Sequence, residues 1–320
     1  MIRSIVRTEN GFEPREGLAI QNAIWIDLIA PTAEERELAA QSLGISLPLR
    51  VRMRAIEPSS RLVDTDGKLV MTFSGVAQAT TIPASPVTCI LADGVLITVH
   101  SADSAPFEAA REFATNPSHA SDLKAHDIFI DLVESSVEVV ADRLEMLGAE
   151  IDQIAAQIFD PDSRKRRART RVQSIMKRLG FRGTQIVRLQ DSLTSLQRLS
   201  VFMEQHASTI TPHLDNESAV AALRADVRAL AEFAEALDAK IEFLMDAMLG
   251  MITLDQNEIM MLLSVVAAMF LPATLIASIF GMNFPAMPVL KWHHGFFISI
   301  GGMAIAAIIV GFVIRWRRWL

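Results

Sequence analysis

The sequence is short of the features that mark disulfide-rich and nucleotide-driven proteins. It has one cysteine, Cys89, so no intrachain disulfide forms, in keeping with a reducing compartment. It has no glycine-rich phosphate loop, no His-Glu-x-x-His and no CxxC pair, which takes away the usual signatures of a nucleotide-driven pump and of a zinc hydrolase. Met1-Ile2-Arg3-Ser4 begins no signal-peptide apolar region. The histidines of the N-terminal part, His100 and His119 among them, are scattered. Scattered histidines are expected at the surface or capped, and no catalytic residue is assigned. Charge is missing from two stretches, Met260 to Phe280 and Gly295 to Ile314. Each is about as long as a helix that crosses a hydrocarbon core. The lack of any ionisable group inside them argues against a proton-coupled carrier.

What is present follows from these gaps. The two uncharged runs are joined by a short loop that opens Phe280-Gly281-Met282-Asn283-Phe284-Pro285, which predicts a hairpin crossing a bilayer and returning. Its turn lies at the membrane surface, where open backbone faces ions. Both spans fall in the last quarter of 320 residues, so most of the chain lies outside the bilayer. The net charge of −7 hides a basic ending, Arg315-Trp316-Arg317-Arg318-Trp319-Leu320. By the positive-inside rule that end is cytosolic, and an even number of spans returns the N-terminus to the same side.

Residues 1–118 read as a small cytosolic α/β domain. Ile24 to Leu28, Leu69 to Phe73, Val87 to Leu91 and Val95 to His100 are expected strands, the last two turned at Asp93-Gly94. Thr32-Ala33-Glu34-Glu35, after Pro31, reads as a capped helix start. Residues 119–214 change to long helices. Val133, Val137, Val140, Leu144, Leu147, Ile151, Ile154 and Ile158 make a seam of threes and fours that Pro161 ends. A second helix carries Val172, Ile175, Leu179, Ile186, Leu189, Leu193, Leu196 and Met203 on that spacing, with Arg182 and Ser200 interrupting. The two predict an antiparallel hairpin. Its basic tip, Arg164 to Arg171, lacks interleaved aromatics and reads as a solvated turn or an electrostatic contact within the assembly, with no nucleic acid partner.

Residues 215–259 are the expected stalk, capped by Asp215 or Asn216 after Pro212. The pattern allows one helix of roughly 95 Å from there to Phe280, so that motion of the soluble domain tilts the span. One stripe of this helix holds Asp246, Thr253, Asn257, Met260, Leu263 or Ser264, Ala267, Leu271, Thr274 and Ser278. Small and polar residues on a membrane helix ordinarily serve close packing. Here their order, polar, then bulky apolar, then small, then hydroxyl, suits a pore with a hydrophobic constriction.

Gly281-Met282-Asn283 directly after the first of two C-terminal spans, with a basic C-terminus, resembles the CorA family of magnesium and divalent-cation transporters. The resemblance extends to Leu271-Pro272-Ala273-Thr274, Trp25-Ile26-Asp27-Leu28, Asp93-Gly94 and Arg318-Trp319-Leu320. It implies an α+β cytosolic domain with a long helical hairpin and stalk helix, followed by an all-α two-span transmembrane hairpin, in a funnel-shaped homopentamer. It implies a pore-lining first span (260–280), an extracytoplasmic loop (281–294), an outer second span (295–314) and a basic cytosolic tail (315–320). Carried over by position, Gly281, Met282 and Asn283 become the entrance selectivity motif, with Asn283 meeting the ion through its hydration waters. Met260 and Leu263 become the hydrophobic gate, Asn257, Leu271 and Thr274 further pore-lining residues, and Asp246 and Thr253 an inner polar ring.

The implied protein is no enzyme and uses no organic cofactor. It is a channel-like transporter of a bacterial inner membrane, moving Mg2+, and possible companions Co2+ and Ni2+, down an electrochemical gradient. Mg2+ is also implied as the regulator, bound in the cytosol between subunits by ligands that the sequence leaves unassigned. Two features depart from the family pattern. The loop Pro285-Ala286-Met287-Pro288-Val289-Leu290-Lys291 lacks the common acidic residues. His293-His294 favour zinc, nickel or cobalt, or else are interfacial residues beside Trp292. The related zinc-transporting branch is therefore the second reading. A membrane-anchored scaffold or sensor is the third, although an anchor needs no Asn257 or Thr274 in register.

Overall fold

The computed structural model describes residues 1–9, 11–45, 47, 61–65, 67–75, 85–119, 123–160, 169–210, 214–282 and 293–316. The chain divides into two compact units, Met1–Leu244 and Met245–Leu320. The first is built on one seven-stranded sheet: β1 (Ile2–Thr8), β2 (Gly11–Glu16), β3 (Ala23–Ile29), β4 (Leu62–Thr65), β5 (Lys68–Gly75), β6 (Ser85–Ala92) and β7 (Val95–His100). Their order is β2-β1-β3-β7-β6-β5-β4. All neighbours are antiparallel except β3 and β7, paired from Trp25↔Leu96 to Ile29↔His100. The parallel pair has a crossover between its strands, and that crossover carries α1 (Ala33–Leu43) and β4 to β6.

Both faces of the central strands are covered, which is why β3, β6 and β7 read as nearly continuous apolar runs. Ile26, Leu28, Ile90, Ile97 and Val99 form one core with Ala39 of α1. The start of α1 is local chemistry. Its N-cap Thr32 accepts the Glu35 N–H at 3.1 Å, while the Glu35 carboxylate accepts the Thr32 N–H at 2.9 Å, and Gly44 closes the helix at φ 61°. The opposite face carries α2 (Ala105–Thr115), α3 (Ala125–Phe159) and α4 (Arg169–Gln205). The Oγ of Ser195 on α4 accepts the backbone N–H of Ser74 on β5 at 2.9 Å.

All four strands and the capped helix expected from sequence are present, each strand lengthened by two or three residues where it is not already matched. Strands β1, β2 and β4 and helix α2 are additions. Strand β2 contains Pro14 and lies at a sheet edge, the one place where a missing ladder donor is harmless.

Every seam residue of α3 from Val133 to Ile158 is buried. The two interruptions on α4 have partners of their own. Arg182 pairs through Nε with Glu150 of α3 at 2.5 Å and donates to Gln185 at 2.8 Å. Ser200 is fully buried and donates to the Gln197 carbonyl at 2.8 Å. After the short α5 (Ala207–Ile210), α6 runs unbroken over Leu214–Phe280, a length of about 100 Å at the standard rise. It begins at Leu214, before Asp215 and Asn216, so these expected caps fall inside its first turn. Its half within the first unit lies on α3, where the space above Gly148 is taken by Leu237 and Phe233 at 3.6 Å, and Lys240 pairs with Asp152. The basic tip residues 164–168 and Pro161 lie outside the described residues. The last helix is α7 (Gly295–Trp316).

Candidate functional site

Two helical segments are long and apolar enough to cross a membrane, the C-terminal part of α6 and the whole of α7. Their large apolar side chains face outward: Leu271 is 69% exposed and Phe297 71% exposed within the chain. A soluble core helix buries such side chains, whereas these are left open within the chain.

The stripe predicted on α6 is exposed at Asp246, Thr253, Asn257, Met260, Leu263, Leu271 and Thr274. At about 100° per residue, Asp246, Thr253, Asn257, Met260 and Leu271 fall within about 60° of one another. Leu263 lies about 80° from Thr253 and marks the margin, whereas Ser264 lies about 20° away, nearer the centre. The hydroxyls along this face share one orientation. Thr253 donates to the Leu249 carbonyl at 3.0 Å, Ser264 to Met260 at 2.8 Å, and Thr274 to Phe270 at 2.8 Å and Leu271 at 2.9 Å. With each proton committed to the helix's own carbonyls, the oxygens present only lone pairs outward. A face of acceptors suits the donor waters around a cation and repels an anion.

Helix α6 passes through Pro272 without a break. At its end the Gly281 N–H donates to the Ala277 carbonyl at 2.9 Å, and the Met282 N–H to Ile279 at 3.3 Å. A Cβ on Gly281 would stand 3.1 Å from the Ala277 oxygen, a tight contact that glycine avoids. Asn283 lies outside the described residues, with the loop as far as Trp292.

The soluble unit holds a polar cluster that sequence reading missed. His100 was expected at the surface or capped; it is buried at 3% exposure. Its Nε2 lies 2.8 Å from Asp27 Oδ1 and its Nδ1 2.7 Å from the Ala102 carbonyl. The same Asp27 oxygen accepts Thr98 Oγ1 at 2.6 Å, which in turn accepts the Trp25 indole at 2.9 Å. Arg111 of α2 reaches Asp27 Oδ2 at 3.3 Å and Asp103 Oδ1 at 2.8 Å. The buried carboxylate is satisfied on both oxygens, which is what allows it in a core. Phe107 stacks on the His100 ring with centroids 3.6 Å apart. Asp103 is partly buried, which alone would raise its carboxyl. The hydrogen bond and charge of Arg111, with the charges of Arg3 and His100, hold it below its ordinary value instead. The signal available in sequence was the alternation of Trp25 and Asp27 on one side of a strand otherwise apolar.

A cleft of about 440 Å³ elsewhere in the unit is lined by Arg7, Asp93, Lys124 and His126, with charges of both signs. Burial pushes the Cys89 thiol up, with the Asp27 charge adding to it, so it is a poor ligand or nucleophile. No group of three or more His, Cys, Asp or Glu among the described residues is placed to hold a metal within one chain.

Comparison with known proteins bears on the whole chain. A family model described as CorA-like Mg2+ transporter protein matches residues 21–318. A magnesium transport protein CorA from Escherichia coli strain K12 is 32% identical over 313 residues, covering 96% of this chain and 95% of its own. One of the same name from Haemophilus influenzae is 31% identical over 303 residues, covering 94% and 93%. The complete structure of the CorA magnesium transporter from Methanocaldococcus jannaschii has a TM-score of 0.82 and covers 100% of this chain and 99% of that one. At 15% identity that last likeness concerns the fold alone.

Proposed function

The chain belongs to the CorA-like Mg2+ transporter family, and from that premise we propose that it is a homopentameric channel for Mg2+, with Co2+ and Ni2+ as further ions. The proposed path runs along the exposed stripe of α6, one copy from each subunit. The observation that carries this reading is the stripe itself, whose hydroxyl protons at Thr253, Ser264 and Thr274 all point back to the helix. Lone pairs from several copies around one axis make a cage of acceptors for a hydrated ion. Magnesium dehydrates reluctantly and keeps its waters, so it is recognised through them.

In this reading Asn283, with the backbone of Gly281 and Met282, selects the hydrated ion at the outer mouth. Met260 and Leu263 form the apolar constriction, Leu271 and Thr274 line the path above it, and Asn257, Thr253 and Asp246 line the cytosolic side. A narrow apolar ring bars a hydrated ion when closed. Cytosolic Mg2+ bound between subunits holds it closed, and loss of that ion lets the α6 helices part. The protein lies in a bacterial inner membrane with both termini in the cytosol. The membrane potential drives entry, at roughly 4.6 kcal/mol per 100 mV for a divalent ion, twice the value for one charge.

Flux in proteoliposomes tests this. Magnesium entry should follow an imposed potential, negative inside, and stay the same with or without a pH gradient. Parallel measurements with cobalt, nickel and zinc give the ion order. Flux that required the pH gradient, or flux of zinc without magnesium, would overturn the reading.

A further inference from the structure

One feature of the second unit has no part in this scheme, the pair His293 and His294. We propose that these two imidazoles form an exposed site for a borderline transition-metal ion such as Zn2+, and that an ion held there blocks magnesium flux. The site itself is argued from geometry; its effect on flux rests on the pore reading above, which places the pair at the outer mouth.

Both residues are exposed, and their ring centroids lie 5.1 Å apart at an interplanar angle of 80°. That separation has a simple meaning. With a zinc–nitrogen bond of about 2.0–2.1 Å, and about 1.1 Å more from the nitrogen to the ring centre, each centroid stands about 3.2 Å from the ion. At the tetrahedral angle, two such rings are about 5.2 Å apart. The pair thus stands at a separation that one ion can span once each ring turns a nitrogen toward it. The backbone beneath the pair is also anchored, because the His294 carbonyl accepts the Ile298 N–H at 3.0 Å in the first turn of α7. The ordering that binding requires is then confined to the two side chains.

The same position selects the ion. The N-terminal end of α7 carries the positive pole of the helix, which disfavours a cation that forms only weak bonds there. Magnesium wants oxygen ligands in an octahedron and finds two nitrogens. Zinc, nickel and copper bind imidazole well. Two protein ligands leave the remaining positions to water, so the site is open and exchanging, unlike a closed structural centre. In an oligomer each copy adds a pair beside the same opening, and divalent charge held there repels the incoming ion.

The test uses the full chain and the double variant His293→Gln/His294→Gln. Calorimetric titration with ZnCl2 in excess MgCl2, on the purified protein in detergent, should give one zinc ion per chain in the parent and none in the variant. In proteoliposomes, external ZnCl2 should lower parental magnesium flux about tenfold and leave the variant's flux at its zinc-free value, equal to the parent's. Equal zinc binding in both proteins would overturn the site. Zinc inhibition that persists in the variant would mean competition inside the pore, and binding without inhibition would remove the block. If the parent carried no magnesium at all, the transport reading would fail while calorimetry still decided the site. Should the double variant fail to assemble, each single variant must weaken zinc binding at least tenfold, or the proposal falls.

Discussion

Asn283 and Asp27 represent two different uses of a polar side chain. Asn283 follows the close turn at Gly281 and, in the proposed pore, accepts hydrogen bonds from the waters of an ion. Leucine of similar size accepts none. Asn283→Leu should therefore abolish magnesium flux while leaving expression and assembly intact, which flux assays and size-exclusion chromatography check together; parental flux would remove Asn283 from the filter. Asp27 is structural. It accepts hydrogen bonds from Thr98, His100 and Arg111 inside the core of the soluble unit. Asp27→Ala leaves the buried His100 imidazole without its acceptor and the half-buried Arg111 with Asp103 alone, and should cost about 3–5 kcal/mol, the usual penalty for breaking a buried charged pair from one side. Thermal denaturation of the two proteins side by side measures it. A loss below about 1 kcal/mol, typical of an exposed pair, would show that the network contributes little to stability.

At the scale of the element, α6 serves two environments with one continuous helix. From Val220 to Leu244 it buries a stripe that includes Leu223, Val227, Ala234, Leu237 and Ile241. From Met260 onward most of its apolar side chains are exposed within the chain, Met260 and Leu263 each at 60%. The switch follows from loss of charge, since apolar residues on all sides leave no polar face for water. Met260 and Leu263 are expected to bar the path when the α6 copies approach each other. Replacing both with serine should raise magnesium conductance and weaken its inhibition by internal magnesium, read from flux at high and low internal concentration. Unchanged flux and inhibition in an assembled variant would move the gate to other residues. Ser264, nearer the stripe centre than Leu263, would be the first place to look.

For the whole molecule the expected topology has both termini in the cytosol and only the loop after α6 outside. A cysteine placed at Ala286 should react with an impermeant maleimide on intact cells. Cys89 cannot serve as the cytosolic control, because it is fully buried and its thiol is pushed up, so it stays unreactive on either side. Glu108, exposed on α2, is the better position: Glu108→Cys should react only after permeabilisation. Labelling of both on intact cells, or protection at Ala286, would reverse the topology.

Much of this protein was written in local pattern. The Thr32–Glu35 capping box involves residues three apart, the seam of α3 repeats within a turn or two, and the spans are marked by missing charge. Each such feature needs only neighbours along one element, so the sequence alone determined the long helices, α1, four strands and the two apolar helices. The tertiary structure decided what depended on distant partners. His100 and Asp27 are 73 residues apart, and only the parallel pairing of β3 with β7 brings them together. Arg182, an interruption in a stripe, becomes a half-buried link once α4 lies on α3 beside Glu150. Strand β2, with its proline and charges, is a strand only because β1 offers it an edge. The physical reason is the same in each case: a propensity belongs to a residue and its near neighbours, whereas the partner that satisfies a buried charge or an open strand edge is supplied by the fold.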